Sequence, residues 1–298
     1  MSTIIGNFAG TFCSMLSYFS WMECESKNPE MQISLHMDNK TNFPGNTIFN
    51  YHYGYSSENA VKSQNLLLKF FESNSYIAEL DKSKSIIYIE NFPHRNRSII
   101  QTYPKVLENH IGHGIDVVDY LDEDKTNNLR KAFSIHWNKF KPNEYLKKVI
   151  EDKVDSIIES NLKYMSVMVR SSIHYTGSYS FDEMIKEVVE LSKDFDRVLI
   201  ITQVKPILNR FIQELGEKCV FTNVNRLDED TDWPGGRNLY MNDEEYIKEV
   251  EDCFVDVISA SKCQLICGSP SNMFLGALSM NPNASYKLLN SMKNTAGK

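Results

Sequence analysis

Between residues 166 and 280 the sequence alternates short uncharged runs with longer amphipathic stretches, and no other feature constrains the fold as tightly. Ser166-Val167-Met168-Val169 reads as a buried strand that stops at Arg170-Ser171-Ser172. Phe181, Met184/Ile185, Val188 and Leu191 then recur at helical spacing behind Ser180, which forms a capping box with Glu183. Residues 198–202 are a second strand. Pro206 suits the first turn of the next helix, and Gly216 closes it. Residues 219–224 are a third strand, followed by a polar loop and a helix from Asn242 to Lys262. Finally Cys263-Gln264-Leu265-Ile266-Cys267 runs into Gly268-Ser269-Pro270-Ser271-Asn272, and a new helical pattern begins at Met273. Strands of four to six residues alternating with helices of about ten or more predict α/β architecture, a parallel sheet with helices on both faces.

The first half is less regular. Thr3-Ile4-Ile5, the turn Gly6-Asn7-Phe8-Ala9-Gly10, a helical face of Phe12, Met15/Leu16, Phe19 and Met22, and a strand at residues 31–36 open the chain as βαβ. The glycines of that turn let the backbone pass close to another group, which makes Asn7 and Gly10 candidates for a ligand-facing loop; a ligand-free strand-to-helix corner fits equally. Residues 58–72 read as an amphipathic helix and residues 84–90 as a strand. Residues 126–160 are helical in pattern, interrupted at Lys141-Pro142. A chain of 298 residues accommodates two domains. The boundary is expected within this helical stretch, giving domains 1–158 and 159–298.

Charge and cysteine usage narrow the function classes. With 32 Lys+Arg against 39 Asp+Glu the net charge is −7, which disfavours nucleic acid as a partner. The six cysteines form no CxxC pair, so they read as reduced thiols of a cytoplasmic protein rather than a zinc site or disulfide framework. His110 and His113 lack a ligand set of metal-site spacing, and no metal is expected. The apolar stretch at residues 4–22 is broken by glycines, Asn7 and serines and has no basic residue before it. It reads as folded protein, and no transmembrane segment is expected. Oligomeric state is not encoded in any of these features.

In a right-handed parallel array the loops after the strands emerge along one edge. That edge gathers Arg170 with His174, the segment Thr202-Gln203-Val204-Lys205, and Ser269 to Asn272. A guanidinium, hydroxyls and the unpaired N–H groups of a helix start suit a diphosphate without a metal. Asp256 falls with Glu249 and Asp252 on the polar side of its helix, by default a solvated face. It also lies near the helix C-terminus, where the dipole disfavours a carboxylate, which suggests a specific partner.

Residues 165–172, the run Asp256-Val257-Ile258-Ser259-Ala260-Ser261 and residues 263–272 resemble the donor-binding domain of the GDP-fucose fucosyltransferases, the superfamily of core α-1,6, nodulation and protein O-fucosyltransferases. The opening GNFAG turn is similar to that family's glycine-rich first loop. Met168, Ser171 and Ile173 depart from the family pattern, which has a histidine, a second basic residue and an acidic residue there. The resemblance implies a GT-B-like fold of two Rossmann-like domains facing a central cleft. It also implies an inverting, metal-independent glycosyltransferase moving fucose from GDP-fucose to a glycan or polypeptide, with no cofactor. Arg170 would bind the β-phosphate, Asp256 the guanine edge, and Ser269, Ser271 and Asn272 the phosphate turn. His174 is the nearest titratable group for acceptor activation. Another nucleotide sugar, or a non-catalytic nucleotide-sugar or glycan-binding relative, are the alternatives.

Overall fold

The computed structural model describes residues 2–6, 31–35, 66–74, 77, 86–89, 127, 130–131, 134–135, 137–169, 181–229, 243–268 and 272–289. They build two parallel sheets. In the first, β1 (Ser2–Gly6) lies between β2 (Met31–Leu35) and β3 (Ile86–Ile89). These are the three strands expected near the start of the chain. The second comprises β4 (Tyr164–Met168), β5 (Arg197–Ile201), β6 (Cys219–Phe221), β7 (Leu265–Gly268) and β8 (Ser285–Leu288). Its order is β6-β5-β4-β7-β8, every pair parallel. The chain steps outward from β4 through β5 to β6, then crosses back to β7 and β8. The direction of winding therefore reverses between β4 and β7, the position where doubly wound sheets bind ligands.

Among the described residues five α-helices connect or flank these strands: α1 (Glu144–Ile150), α2 (Phe181–Leu191), α3 (Lys205–Leu215), α4 (Asp243–Ser261) and α5 (Asn272–Met280). Local chemistry sets their ends. Asn143 caps α1, its Oδ1 accepting from Leu146 N at 3.0 Å. A π turn (Glu151–Asp155) continues α1. Pro206 occupies the first turn of α3, and Gly216, at φ 55°, ends it in a conformation that other residues adopt only with strain.

Three findings depart from the sequence expectation. Of the helix expected over residues 58–72, the described part is a 3-10 turn, Leu66–Lys69, that ends where Phe71 bridges to Pro142. The third strand of the second sheet stops at Phe221, and the Thr222 carbonyl accepts from Arg226 Nη1 at 2.8 Å instead of from a ladder partner. Strand β8 was not expected; its signal is the turn Asn281-Pro282-Asn283 followed by the alternating Ser285-Tyr286-Lys287-Leu288.

Strand alternation divides the core between the two faces of the second sheet. Met165, Val167 and Val169 pack with Val198, Ile200 and the inner faces of α2 and α3. Tyr164, Met168, Leu199 and Ile201 pack with α4 and α5. Beyond α4 lies an aromatic layer. Phe254 stands 5.0 Å from Phe70 and 5.4 Å from Phe71, ring centre to ring centre, and Phe71 stands 5.6 Å from Phe140. Such pairs add about 0.5–1.5 kcal/mol each beyond area burial.

A polar network closes this layer. Glu251 on α4 accepts from the Tyr145 hydroxyl, from Lys153 Nζ at 2.6 Å and from Lys248 Nζ at 2.7 Å. Burial alone would raise its pKa, but these donors hold it down to about 2. Arg130, 4% exposed, donates to the carbonyls of Ala284 at 2.6 Å and Asn281 at 3.1 Å and so secures the turn into β8.

Strands β4 and β7 approach closely at Gly268. A Cβ added there would lie 2.8 Å from Met168 O and 3.1 Å from Met168 Cβ. Gly268→Ala should therefore destabilise the protein by about 1–3 kcal/mol through overpacking. Urea denaturation measures this, and an unchanged midpoint would mean that β4 and β7 are not in this contact.

Candidate functional site

The site is built from the carboxyl ends of β4 and β7. Met168 pairs with Ile201 on one side and with Gly268 on the other. Val169 N donates to Ile201 O at 2.8 Å, which holds the chain to the sheet for one residue beyond the strand. Gly268 O accepts from Leu289 N at 3.4 Å. The residues directly before Arg170 and directly before Ser269 are thus anchored on neighbouring strands at the switch point. Arg170, His174, Ser269 and Ser271 themselves lie outside the described residues, as do Asn7 and Gly10. Asn272 is the first residue of α5.

The edge continues toward β5 and β6 through a zipped pair of loops. Leu227 N donates to Gln203 O at 2.8 Å, and Lys205 N donates to Leu227 O at 2.9 Å. Thr222 Oγ1 donates to Asp256 Oδ1 at 2.5 Å, and Asn225 N donates to Asp252 Oδ2 at 3.0 Å. Arg226 folds back on the same loop. Its Nη1 donates to Thr222 O at 2.8 Å and Val224 O at 3.1 Å, its Nη2 donates to Thr222 Oγ1 at 3.2 Å, and its guanidinium lies 5.5 Å from the centre of the Phe221 ring.

Here the structure corrects the solvated-face expectation for α4. Asp252 is 4% exposed and Asp256 5%. The helix is covered by the sheet on one side and by α1, its π turn and α5 on others, so its polar residues are buried along with its apolar ones. Asp256 has a specific partner in Thr222. Burial pushes its pKa up to about 7, against the pull of the Thr222 hydroxyl and the Arg226 guanidinium. Sequence reasoning did not single out Thr222 or Arg226; a lone arginine in a polar loop carries no sequence signal that separates it from a solvated one.

A groove of about 670 Å³ opens at the opposite, amino end of the strands, bounded by Asp155, Glu159, Tyr164, Lys262 and Gln264. Its polar groups are tied to each other: Lys262 pairs with Asp155, Gln264 Oε1 accepts from Tyr164 N at 2.7 Å, and Tyr164 Oη donates to Ile157 O at 2.9 Å. Among the described residues no three His, Cys, Asp or Glu side chains are placed to share a metal ion, and no helix is long and apolar enough to cross a membrane. Cys219, Cys253, Cys263 and Cys267 are free thiols.

No protein-family model matches this chain, and no curated protein sequence matches it. Solved structures do. The fucosyltransferase NodZ from Bradyrhizobium superposes with a TM-score of 0.51 at 12% identity, over 94% of this chain and 93% of that one. NodZ α-1,6-fucosyltransferase soaked with GDP-fucose gives 0.52 at 11% identity, over 93% and 92%. FUT1 of Arabidopsis thaliana, in complex with GDP, gives 0.50 at 8% identity, over 97% and 71%. The chain therefore shares the α/β fold of these fucosyltransferases.

The raised pKa of Asp256 fixes the sign of a pH effect. An unfolded aspartate titrates near about 3.9. The folded protein thus holds an extra proton between that value and about 7. The contribution of Asp256 to stability is fully present below pH ~4 and is lost as pH rises through the folded value. Asp256→Asn should accordingly gain melting temperature relative to the wild type as pH rises from about 4 to 8. A gap that stays constant or narrows would contradict a buried, proton-holding Asp256.

Proposed function

We propose that the chain is an inverting, metal-independent GT-B glycosyltransferase that transfers fucose from GDP-fucose to a glycan or polypeptide acceptor. One observation carries the reading: the segments starting at Arg170 and Ser269 follow neighbouring strands at the switch point of a doubly wound sheet, the second of them three residues ahead of α5. The fold neighbours, one soaked with GDP-fucose and one bound to GDP, support that choice of donor.

In this reading residues 159–298 hold the donor and residues 1–158 face the acceptor, with Asn7 and Gly10 on the cleft side. The acceptor hydroxyl oxygen attacks the anomeric carbon of the sugar as that carbon's bond to the β-phosphate oxygen breaks. The electron pair leaves with GDP, and the hydroxyl proton passes to a base, for which His174 is the candidate. Arg170, Ser269, Ser271 and the N–H groups at the start of α5, beside Asn272, gather the charge that develops on the diphosphate. This is the work a divalent cation would otherwise do. Asp256 belongs to the base end of the nucleotide.

A thermal-shift panel of GDP, UDP, ADP and CMP tests the donor class. GDP is expected to raise the melting temperature most, and stabilisation by UDP alone would contradict the fucosyl reading. In a transfer assay with GDP-fucose, activity should withstand EDTA. Arg170→Ala should lower kcat by about 100-fold or more with melting temperature unchanged. Undiminished turnover in that variant would remove the phosphate site.

A further inference from the structure

Arg226 turns both terminal nitrogens onto its own loop, while its buried Nε has no hydrogen-bond partner among the described residues. Three of its hydrogen bonds end on Thr222 and Val224, and its flat face lies over Phe221. The loop at residues 222–227 is gripped from below as well, by Asp256 at Thr222 and by Asp252 at Asn225 N. Its far end is zipped to Gln203 and Lys205. A six-residue surface loop would satisfy its backbone with water. This one is held instead by two buried carboxylates one helical turn apart and a partly buried guanidinium.

That arrangement is costly. Burying an ion takes several kcal/mol even after relaxation, and a charge on Asp256 would add repulsion from Asp252 and Glu249. Arg226 faces both aspartates, and Lys248 Nζ reaches Asp252 at 2.9 Å. Ionic groups kept in such places secure one conformation in the best-attested cases. The conformation secured here carries exposed Asn223 and Asn225, whose amides offer both donors and acceptors. It lies two strands from β4, roughly 10 Å along the carboxyl edge from the switch point.

We propose that Arg226 is the positioning residue for the nucleobase end of the donor site, locking residues 222–227 into a preformed wall against which the base lies. The inference rests on the nucleotide-sugar reading above. A wall already ordered before binding lowers the entropy cost of holding the base. It adds nothing to the hold on the diphosphate.

Calorimetry of the full chain with GDP and with inorganic pyrophosphate tests it. Arg226→Lys keeps the charge facing Asp252 and Asp256 but loses the planar fork. It should weaken GDP about tenfold and leave pyrophosphate within about twofold. Thr222→Val, which removes the hydroxyl shared by Asp256 and Arg226, should show the same selective loss, and Thr222→Ser should restore affinity. In transfer assays the donor KM should rise with kcat at saturation unchanged. Equal loss for both ligands, or no loss for GDP in either weakened variant, would overturn the positioning role alone. A wild-type protein that binds neither ligand would overturn the nucleotide reading and this inference with it.

Discussion

The parallel pairing of β4 with β7 is the constraint on which the rest depends. Chain direction and crossover handedness make the loops after these two strands emerge on the same edge, on opposite sides of the point where the winding reverses. The pairing is close enough at its end that Gly268 has no room for a side chain beside Met168. An uncharged run that ends in glycine is therefore a packing requirement as well as a turn signal. The same contact holds the chain to β4, with three residues between it and the start of α5.

Helix α4 is the second organising element. It is buried nearly all round, with Phe254 in the aromatic layer, Val257 in the core and Glu251, Asp252 and Asp256 each held by a named partner. The carboxylates fall into two groups with opposite electrostatics. Glu251 stays ionised because burial is outweighed by two lysines and a tyrosine hydroxyl. Asp256 tends to hold its proton because burial outweighs Thr222 and Arg226. The first fastens α1 and its π turn to the helix, and the second meets the loop after β6. One helix thus joins the covering layer to the carboxyl edge of the sheet.

Much of this was legible in the sequence, for reasons that differ by element. The strands β4, β5 and β7 are short uncharged runs bounded by charged or turn residues, and α2 and α3 carry apolar faces with recognisable ends at Gly216 and Pro206. Strand order was not legible as such, since it is decided by where each crossover packs. Strand β8 escaped notice because Tyr286 and Lys287 make a polar edge strand without an apolar run. The burial of Asp252 and Asp256 escaped because a helical wheel sees one helix. The segments that cover α4 come from residues 66–71 and 145–154, more than ninety positions away. Arg226 reads as an ordinary loop arginine until Thr222, Val224 and Phe221 are seen around it.

The functional account reduces to a location: a nucleoside diphosphate along the carboxyl edge of the second sheet, its phosphates at the β4/β7 switch point and its base toward β6. Diffraction from crystals grown with GDP tests that location directly. The account predicts the β-phosphate within hydrogen-bond reach of the Arg170 guanidinium and the first N–H groups of α5. Density for GDP in the amino-end groove beside Tyr164, Lys262 and Gln264, or anywhere away from Ser271, would contradict it.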